Sequence, residues 1–226
     1  MPAGGLVTDK KIQDEVVRRA EARGITGDPD KAAHALGSIT LPDGRTVGVH
    51  VIHAGDAIVT DPQREWMVAI DRKNNPGIGM PALPGGLLDP KKGGGVETVI
   101  QGAVREALEE AGIGLEEAKI TLIGKRNMSR PFDVRIAKGN GLSDKYGVKD
   151  GDIFLVSTQA VLFVVPDLAH TKLTKGDDAS AAYLMKVSRV TQGTMGIPDH
   201  FEMLKAALPE CFPQPPAAKK NPKFGR

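Results

Sequence analysis

One cysteine, Cys211, is all the thiol chemistry this chain possesses. No disulfide can close within it and no cysteine-rich metal centre can form, a usage that suits a reducing cytosol. The proline-rich setting of Cys211 argues against a nucleophilic role. An excess of one charge is missing too: 30 Lys and Arg against 28 Asp and Glu leave a formal net charge of +2. Apart from a basic C-terminal stretch, the composition makes no broad electrostatic case for nucleic acid or a membrane surface. No apolar run approaches the ~18 residues that a bilayer span requires. Residues 1–5 lack a basic segment followed by an apolar core. A soluble, cytoplasmic protein is therefore expected. There is no internal repeat. With 226 residues the chain can bury a proper core as one domain of moderate size with additions.

What the sequence does contain is a carboxylate-rich helix. Residues 97–113 read Glu-Thr-Val-Ile-Gln-Gly-Ala-Val-Arg-Glu-Ala-Leu-Glu-Glu-Ala-Gly-Ile, after a Pro84-Gly85-Gly86 turn. At about 100° per residue, Ile100, Val104, Ala107, Leu108 and Ala111 share one arc, and Glu106, Glu109 and Glu110 crowd the opposite side. Glu106 and Glu110 stand one turn apart, so like charges converge where a hard divalent cation would relieve their repulsion. Gly112 ends the helix and Ile113 turns back to the core. A solvated surface helix would also carry such charges.

Around this helix the chain reads as a mixture of helices and strands. Residues 8–23 set Ile12, Val16 and Ala20 at helical spacing, with Thr8 or Asp9 as cap and Gly24 as stop. A second short helix is expected over 30–36, capped by Asp28 with Pro29 just inside. Residues 37–52 alternate around Pro42-Asp43-Gly44 as a β-hairpin. Two further strands are expected at 56–61 and 65–71. After the acidic helix come a short strand at 120–123, a polar stretch at 126–135 and a long loop at 138–152. Residues 153–165 are the most strand-like run and belong in the middle of a sheet. A strand at 182–187 and a helix at 201–208, with Phe201, Leu204 and Leu208 as its buried stripe, complete the pattern. The expected organisation is an N-terminal packing or dimer element over 1–52, a main domain over 53–208, and a flexible Pro/Lys-rich tail over 209–226.

The register of Glu97, Arg105, Glu106, Ala107, Glu109, Glu110, Gly112 and Ile113 resembles the signature of the Nudix hydrolases, G-x5-E-x7-R-E-U-x-E-E-x-G-U, with U aliphatic or small. The signature's opening glycine would fall at Lys91. Gly86 lies farther upstream, which implies an insertion of about five residues in the loop 87–96. The resemblance implies an α+β fold of Nudix type: an α/β/α sandwich with a mixed sheet and a catalytic helix after the Gly-rich loop. The N-terminal helix and β-hairpin would be additions to it.

It also implies a hydrolase acting on pyrophosphate bonds with Mg²⁺, or Mn²⁺ in its place. Glu106, Glu109 and Glu110 would hold the metal, with a carbonyl at Gly86 completing the shell. Arg105 would pair with Glu97 and Glu109. The base that activates water is open between Glu106 and the loop carboxylates Asp177 and Asp178, which otherwise form an Asx-rich turn. Arg72, Arg130 and Arg135 are candidates for substrate phosphate or ribose, or plain surface cations. Asp133-Val-Arg135, Gly176-Asp-Asp-Ala179 and Asp199-His200 resemble the bacterial ADP-ribose pyrophosphatase branch, whose substrate yields AMP and ribose 5-phosphate. His200 itself reads as a local hydrogen-bond partner at a helix start. A nucleoside-triphosphate or RNA 5′-end pyrophosphohydrolase is the alternative within the class, and a non-catalytic nucleotide-binding regulator the alternative outside it. A nucleotide substrate and a homodimer through the N-terminal helix and hairpin are the expected partners, with no membrane and no specific nucleic acid.

Overall fold

The computed structural model describes residues 5–24, 28–74, 77–115, 119–127, 134–138, 142–176 and 179–212. The chain runs α1 (Lys10–Arg23), β1 (Ala33–Thr40), β2 (Thr46–Thr60), β3 (Trp66–Arg72), β4 (Pro81–Ala82), β5 (Gly85–Leu87), α2 (Val99–Ala111), β6 (Lys119–Asn127), β7 (Val134–Ile136), α3 (Leu142–Tyr146), β8 (Ile153–Val164), β9 (Ala179–Lys186) and α4 (Pro198–Ala207). Among the described residues, nine strands form one mixed sheet. Its axis is the parallel pair β2–β8, in unbroken register from Val49↔Ile153 to Thr60↔Val164. A parallel pair covered on both faces needs apolar residues at nearly every position, and β2 is buried without a break from Val51 to Thr60. The remaining partners are antiparallel: β1 and β5 on β2, β6 and β7 on β8, and β4 and β9 on β3.

Period-two alternation along β2 sorts the core into two layers. Ile58 faces Val16 and Ala20 of α1 and Met203 and Leu204 of α4. Ala57 and Val59 face Ala103, Ala107 and Ala111 of α2. This is the α/β/α sandwich that the resemblance implies, and burial of large side chains such as Ile58 and Phe163 contributes roughly 1.5–3 kcal/mol each. Helix ends follow the sequence closely. The Asp9 carboxylate accepts from Lys11 N and Ile12 N to cap α1. Thr98 and Gln101 form a reciprocal capping box at the start of α2. Gly112, at φ 66°, closes α2 with its N–H on Leu108 O, while Ile113 N–H reaches Ala107 O.

Several expectations need correction. Residues 33–36 of the expected helix over 30–36 belong to β1, because Ala33 and Ala35 pair with Ile52 and His50; strand pairing overrides a helix-compatible composition. The strand expected at 56–61 is the continuation of β2. Gly55 is no break: a Cβ there would lie 2.8 Å from Val99 O, so its missing side chain lets α2 lie close on the sheet. The long loop over 138–152 contains α3. The α2 stripe is shifted in part: Ala107 and Ala111 are buried as expected, Ile100 and Val104 pack partly buried against the same layer, Val99, Ala103 and Glu110 join them, and Leu108 is 52 % exposed. Small residues on this face bring the helix backbone close to the sheet. In α4 the buried apolar residues are Met203, Leu204 and Ala207, followed by Leu208, while Phe201 is half-buried edge-on against Phe212 at 5.6 Å. The expected tail therefore begins packed; residues 213–226 lie outside the described residues.

Candidate active site

The site is assembled where β5 docks on β2 and α2 crosses beneath them. Antiparallel pairing sets Gly85 opposite Asp56 and Gly86 opposite Gly55. The two glycines are required by contact: a Cβ on Gly86 would collide with the Glu106 carboxylate, and one on Gly85 with that of Asp56. Arg105 organises the helix side with five hydrogen bonds. Its Nε and Nη2 donate to Glu97 Oε1 and Oε2 at 2.9 and 3.0 Å, and Nη2 also reaches Leu87 O at 3.0 Å. Nη1 donates to Glu106 Oε1 at 2.7 Å and Glu109 Oε2 at 2.9 Å. A guanidinium has five N–H donors, so Arg105 is saturated within the protein. Burial works to lower its pKa, but the Glu97 hydrogen bonds and the Glu106 charge outweigh it and hold the cation firmly protonated.

The acidic residues differ in setting. Glu109 is 56 % exposed in its side chain and tied to Arg105. Glu106 and Glu110 turn inward. Glu110 Oε2 accepts from Gly85 N–H at 2.9 Å. Burial pushes Glu106 up to about 7 against the charge and hydrogen bond of Arg105, with the Glu109 and Asp56 charges adding to the rise. Burial likewise pushes Glu110 up to about 8, opposed by the Gly85 hydrogen bond and reinforced by Glu106 and Asp56. Three carboxylates, Asp56, Glu106 and Glu110, thus act on one another in a poorly solvated pocket.

Asp56 has a further neighbour. His200, buried at the start of α4, accepts from Leu83 N–H at its Nδ1 at 3.0 Å. Its proton therefore sits on Nε2, which faces Asp56 Oδ2 at 3.4 Å. The partners of this histidine come from β2 and from the approach to the glycine turn, and sequence reading had sought them beside it.

These groups line one cavity of about 390 Å³. Arg72, at the end of β3, lies on its wall; burial draws its pKa down, against the charges of Glu110 and Asp56. Arg135, on β7, lines the same cavity together with Tyr146 of α3 and Phe154 of β8. Arg130, Asp133, Asp177 and Asp178 lie outside the described residues. Gly176, just before the two aspartates, donates its N–H to Glu110 O at 3.2 Å. The enlarged loop folds locally: Lys91 N–H reaches Gly95 O at 3.1 Å and Pro90 bridges Val96. Asp89 N–H meets Glu97 Oε2 at 2.9 Å, so the additional residues project without displacing the glycine turn.

A profile of the NUDIX domain family matches residues 53–205. The chain belongs to the Nudix family. The match begins at His53, inside β2. No curated protein matches the sequence. Among solved structures, the bifunctional NMN adenylyltransferase/ADP ribose pyrophosphatase from Francisella tularensis is 21 % identical with a TM-score of 0.48, over 70 % of this chain and 41 % of that one. The NUDIX domain of Shewanella oneidensis NrtR, complexed with ADP ribose, is 14 % identical at a TM-score of 0.48, over 70 % of this chain and 86 % of that one. A NUDIX hydrolase from Nitrosomonas europaea is 15 % identical at 0.41, over 76 % and 87 %. The Nudix chain described here thus spans less than half the length of the first of these.

Nudix hydrolases use divalent metals, and the donor set fits one. Glu106 and Glu110 offer hard oxygens on the cavity wall, and burial, the main cause of their raised pKa values, is a cost that a bound divalent cation would offset. Among the described residues no three His, Cys, Asp or Glu side chains already close on one point; magnesium binds through one or two carboxylates plus waters and substrate oxygens. Among the described residues, too, no helix is long and apolar enough to cross a membrane. Sequence reading missed Asp56. Its signal in the sequence is an acidic residue beside a glycine in the middle of an otherwise apolar run, where Asp56 reads as a strand end.

Proposed function

We propose that this Nudix protein is a Mg²⁺-dependent pyrophosphohydrolase that cleaves a nucleoside diphosphate joined to a second moiety, with ADP-ribose, split to AMP and ribose 5-phosphate, as its substrate. The observation that carries the reading is the burial of Glu106 and Glu110 against the Gly85–Gly86 backbone beside a fully engaged Arg105. A surface helix of ordinary charges would leave these carboxylates in water.

In this reading Glu106 and Glu110 hold the metal, with Glu109 and the Gly86 backbone at the edge of its shell. Bound magnesium neutralises phosphoryl oxygens and acidifies a water. Arg105 binds no substrate, since its donors are occupied; it fixes the rotamers of Glu97, Glu106 and Glu109. Arg72 supplies positive charge to a substrate phosphate at the carboxylate end of the cavity, and Arg135 meets the second phosphate or ribose; Arg130 is a further cation of this kind. The water is deprotonated by Asp177 or Asp178, whose segment starts at a glycine bonded to the Glu110 carbonyl; Glu106 is the rival base. ADP-ribose as substrate is supported by the likeness of Asp133-Val-Arg135, Gly176-Asp-Asp-Ala179 and Asp199-His200 to the ADP-ribose pyrophosphatase branch.

The test is chromatography of products after incubation with nucleotide sugars, dinucleotides and nucleoside triphosphates in Mg²⁺. ADP-ribose giving AMP and ribose 5-phosphate is the expected result. Preferential turnover of triphosphates would replace the substrate assignment, and no turnover of any of them would remove the proposal.

A further inference from the structure

Two features that the signature does not account for, the enlarged loop 87–96 and the segment 138–152, meet in space. Lys145 Nζ of α3 lies 2.6 Å from Asp89 Oδ1. Asp89 in turn is joined through its backbone N–H to Glu97, the main partner of Arg105. The ion pair is half exposed, so it fixes position more than it stabilises the fold. Tyr146 packs between the apolar layer under α2 and a separate cluster of Ile52, Leu87, Leu142 and Phe154. A five-residue helix is thereby seated at a defined height over the sheet.

The cavity has two chemistries. Asp56, Glu106, Glu110 and Arg72 make one part of its wall; Leu142, Tyr146, Phe154 and Val156 make another. The two parts adjoin. Val156 lies four residues before Ala160, the β8 residue level with Asp56, and Tyr146 stands near enough to Arg105 and Glu106 to feel their charges, so the aromatic wall begins beside the carboxylates. A substrate whose diphosphate meets the carboxylates would lay its other end on an apolar, aromatic wall.

We infer that α3 and the β8 face beneath it, with Tyr146 as the aromatic plane and Leu142, Phe154 and Val156 around it, form the receptor for a flat nucleobase and so set this enzyme's preference for nucleotides over base-free diphosphates. The inference rests on the pyrophosphohydrolase reading and extends it to the organic half of the substrate. Bases stack on aromatic side chains with little regard to their identity, so the wall selects for the presence of a base more than for its kind.

Selectivity is the readout: kcat/KM for ADP-ribose divided by kcat/KM for a base-free ribosyl diphosphate, in Mg²⁺. Tyr146→Leu, which keeps apolar bulk and removes the ring, should lower the ratio about tenfold, equivalent to ~1.4 kcal/mol, chiefly through KM for ADP-ribose. Tyr146→Phe should keep it within about twofold. An unchanged ratio in Tyr146→Leu overturns the inference and leaves the pyrophosphohydrolase reading standing. If the wild-type protein hydrolyses neither compound, that reading fails, and AMP affinity by calorimetry decides the inference alone: weaker binding to Tyr146→Leu by about tenfold upholds it, and equal binding overturns it. Should Tyr146→Leu not fold, Phe154→Leu is read in the same way.

Discussion

Arg105 uses every N–H it has inside the protein, and this determines what its replacement does. Lysine offers a point charge without the fork, so Arg105→Lys should leave Glu106 and Glu109 without their shared donor. Activity should fall by about 10–100-fold, the usual effect of losing an orienting partner around a metal site. Steady-state rates across a Mg²⁺ titration check this, and near-normal rates would contradict the role. His200 holds Asp56, whose charge acts on both Glu106 and Glu110 and so bears on the metal they would hold. His200→Ala should raise the Mg²⁺ concentration needed for half-activation, again by about 10–100-fold, with partial recovery in His200→Gln, whose amide can donate from a similar place. The buried carboxylates also carry a pH signature. In the metal-free fold Glu106 and Glu110 titrate near 7 and 8 instead of 4.5, so the folded chain keeps protons that the unfolded chain releases. Stability from this source is highest below the unfolded value and declines as pH rises towards 8. Melting temperatures of metal-free protein should therefore drop between pH 5 and pH 8, less steeply in Glu110→Gln, and Mg²⁺ should restore more at pH 8 than at pH 5. A wild-type slope equal to that of Glu110→Gln would contradict the assignment.

At the scale of elements, α2 carries the account, and the shift of its stripe is open to test. Ala107 is fully buried and Leu108 half exposed, so Ala107→Leu should destabilise by about 1–3 kcal/mol through overpacking. Leu108→Ala should change stability by no more than about 0.5 kcal/mol. Denaturant midpoints decide, and a loss of several kcal/mol in Leu108→Ala would return Leu108 to the buried stripe expected from sequence. The polar positions of this helix were legible because a motif fixes them residue by residue. Its apolar face was legible only in part, because a period of 3.6 tolerates a shift of one position when Ala and Leu both count as apolar. Residues 30–36 were misread for a related reason: nothing local distinguishes a short helix from an edge strand whose partner, Ile52, comes later in the chain. Gly55 shows the same limit. A glycine in a strand marks either a break or a close approach, and only the helix above it decides which. The pairing of Asp56 with His200 joins the second strand to the last helix and has no local signature at all.

For the whole molecule, the α/β/α layering is what the family resemblance implies, and the run 153–165, which the sequence places inside a sheet, fits it. The course of β2 was not legible in the sequence, because one long strand pairs with β1, β5, β3 and β8 at successive levels. That course sets the glycine turn and Asp56 over the carboxylates of α2, and the central claim depends on it: this arrangement holds a divalent cation for pyrophosphate cleavage. The most direct measurement is Mg²⁺ or Mn²⁺ binding by calorimetry, together with ADP-ribose turnover, in wild type, Glu106→Gln and Glu110→Gln. The account predicts measurable metal binding and turnover in the wild type, and in each variant weaker metal binding and turnover reduced by at least about a hundredfold, with the fold retained. Full metal affinity and full turnover in both variants would contradict it.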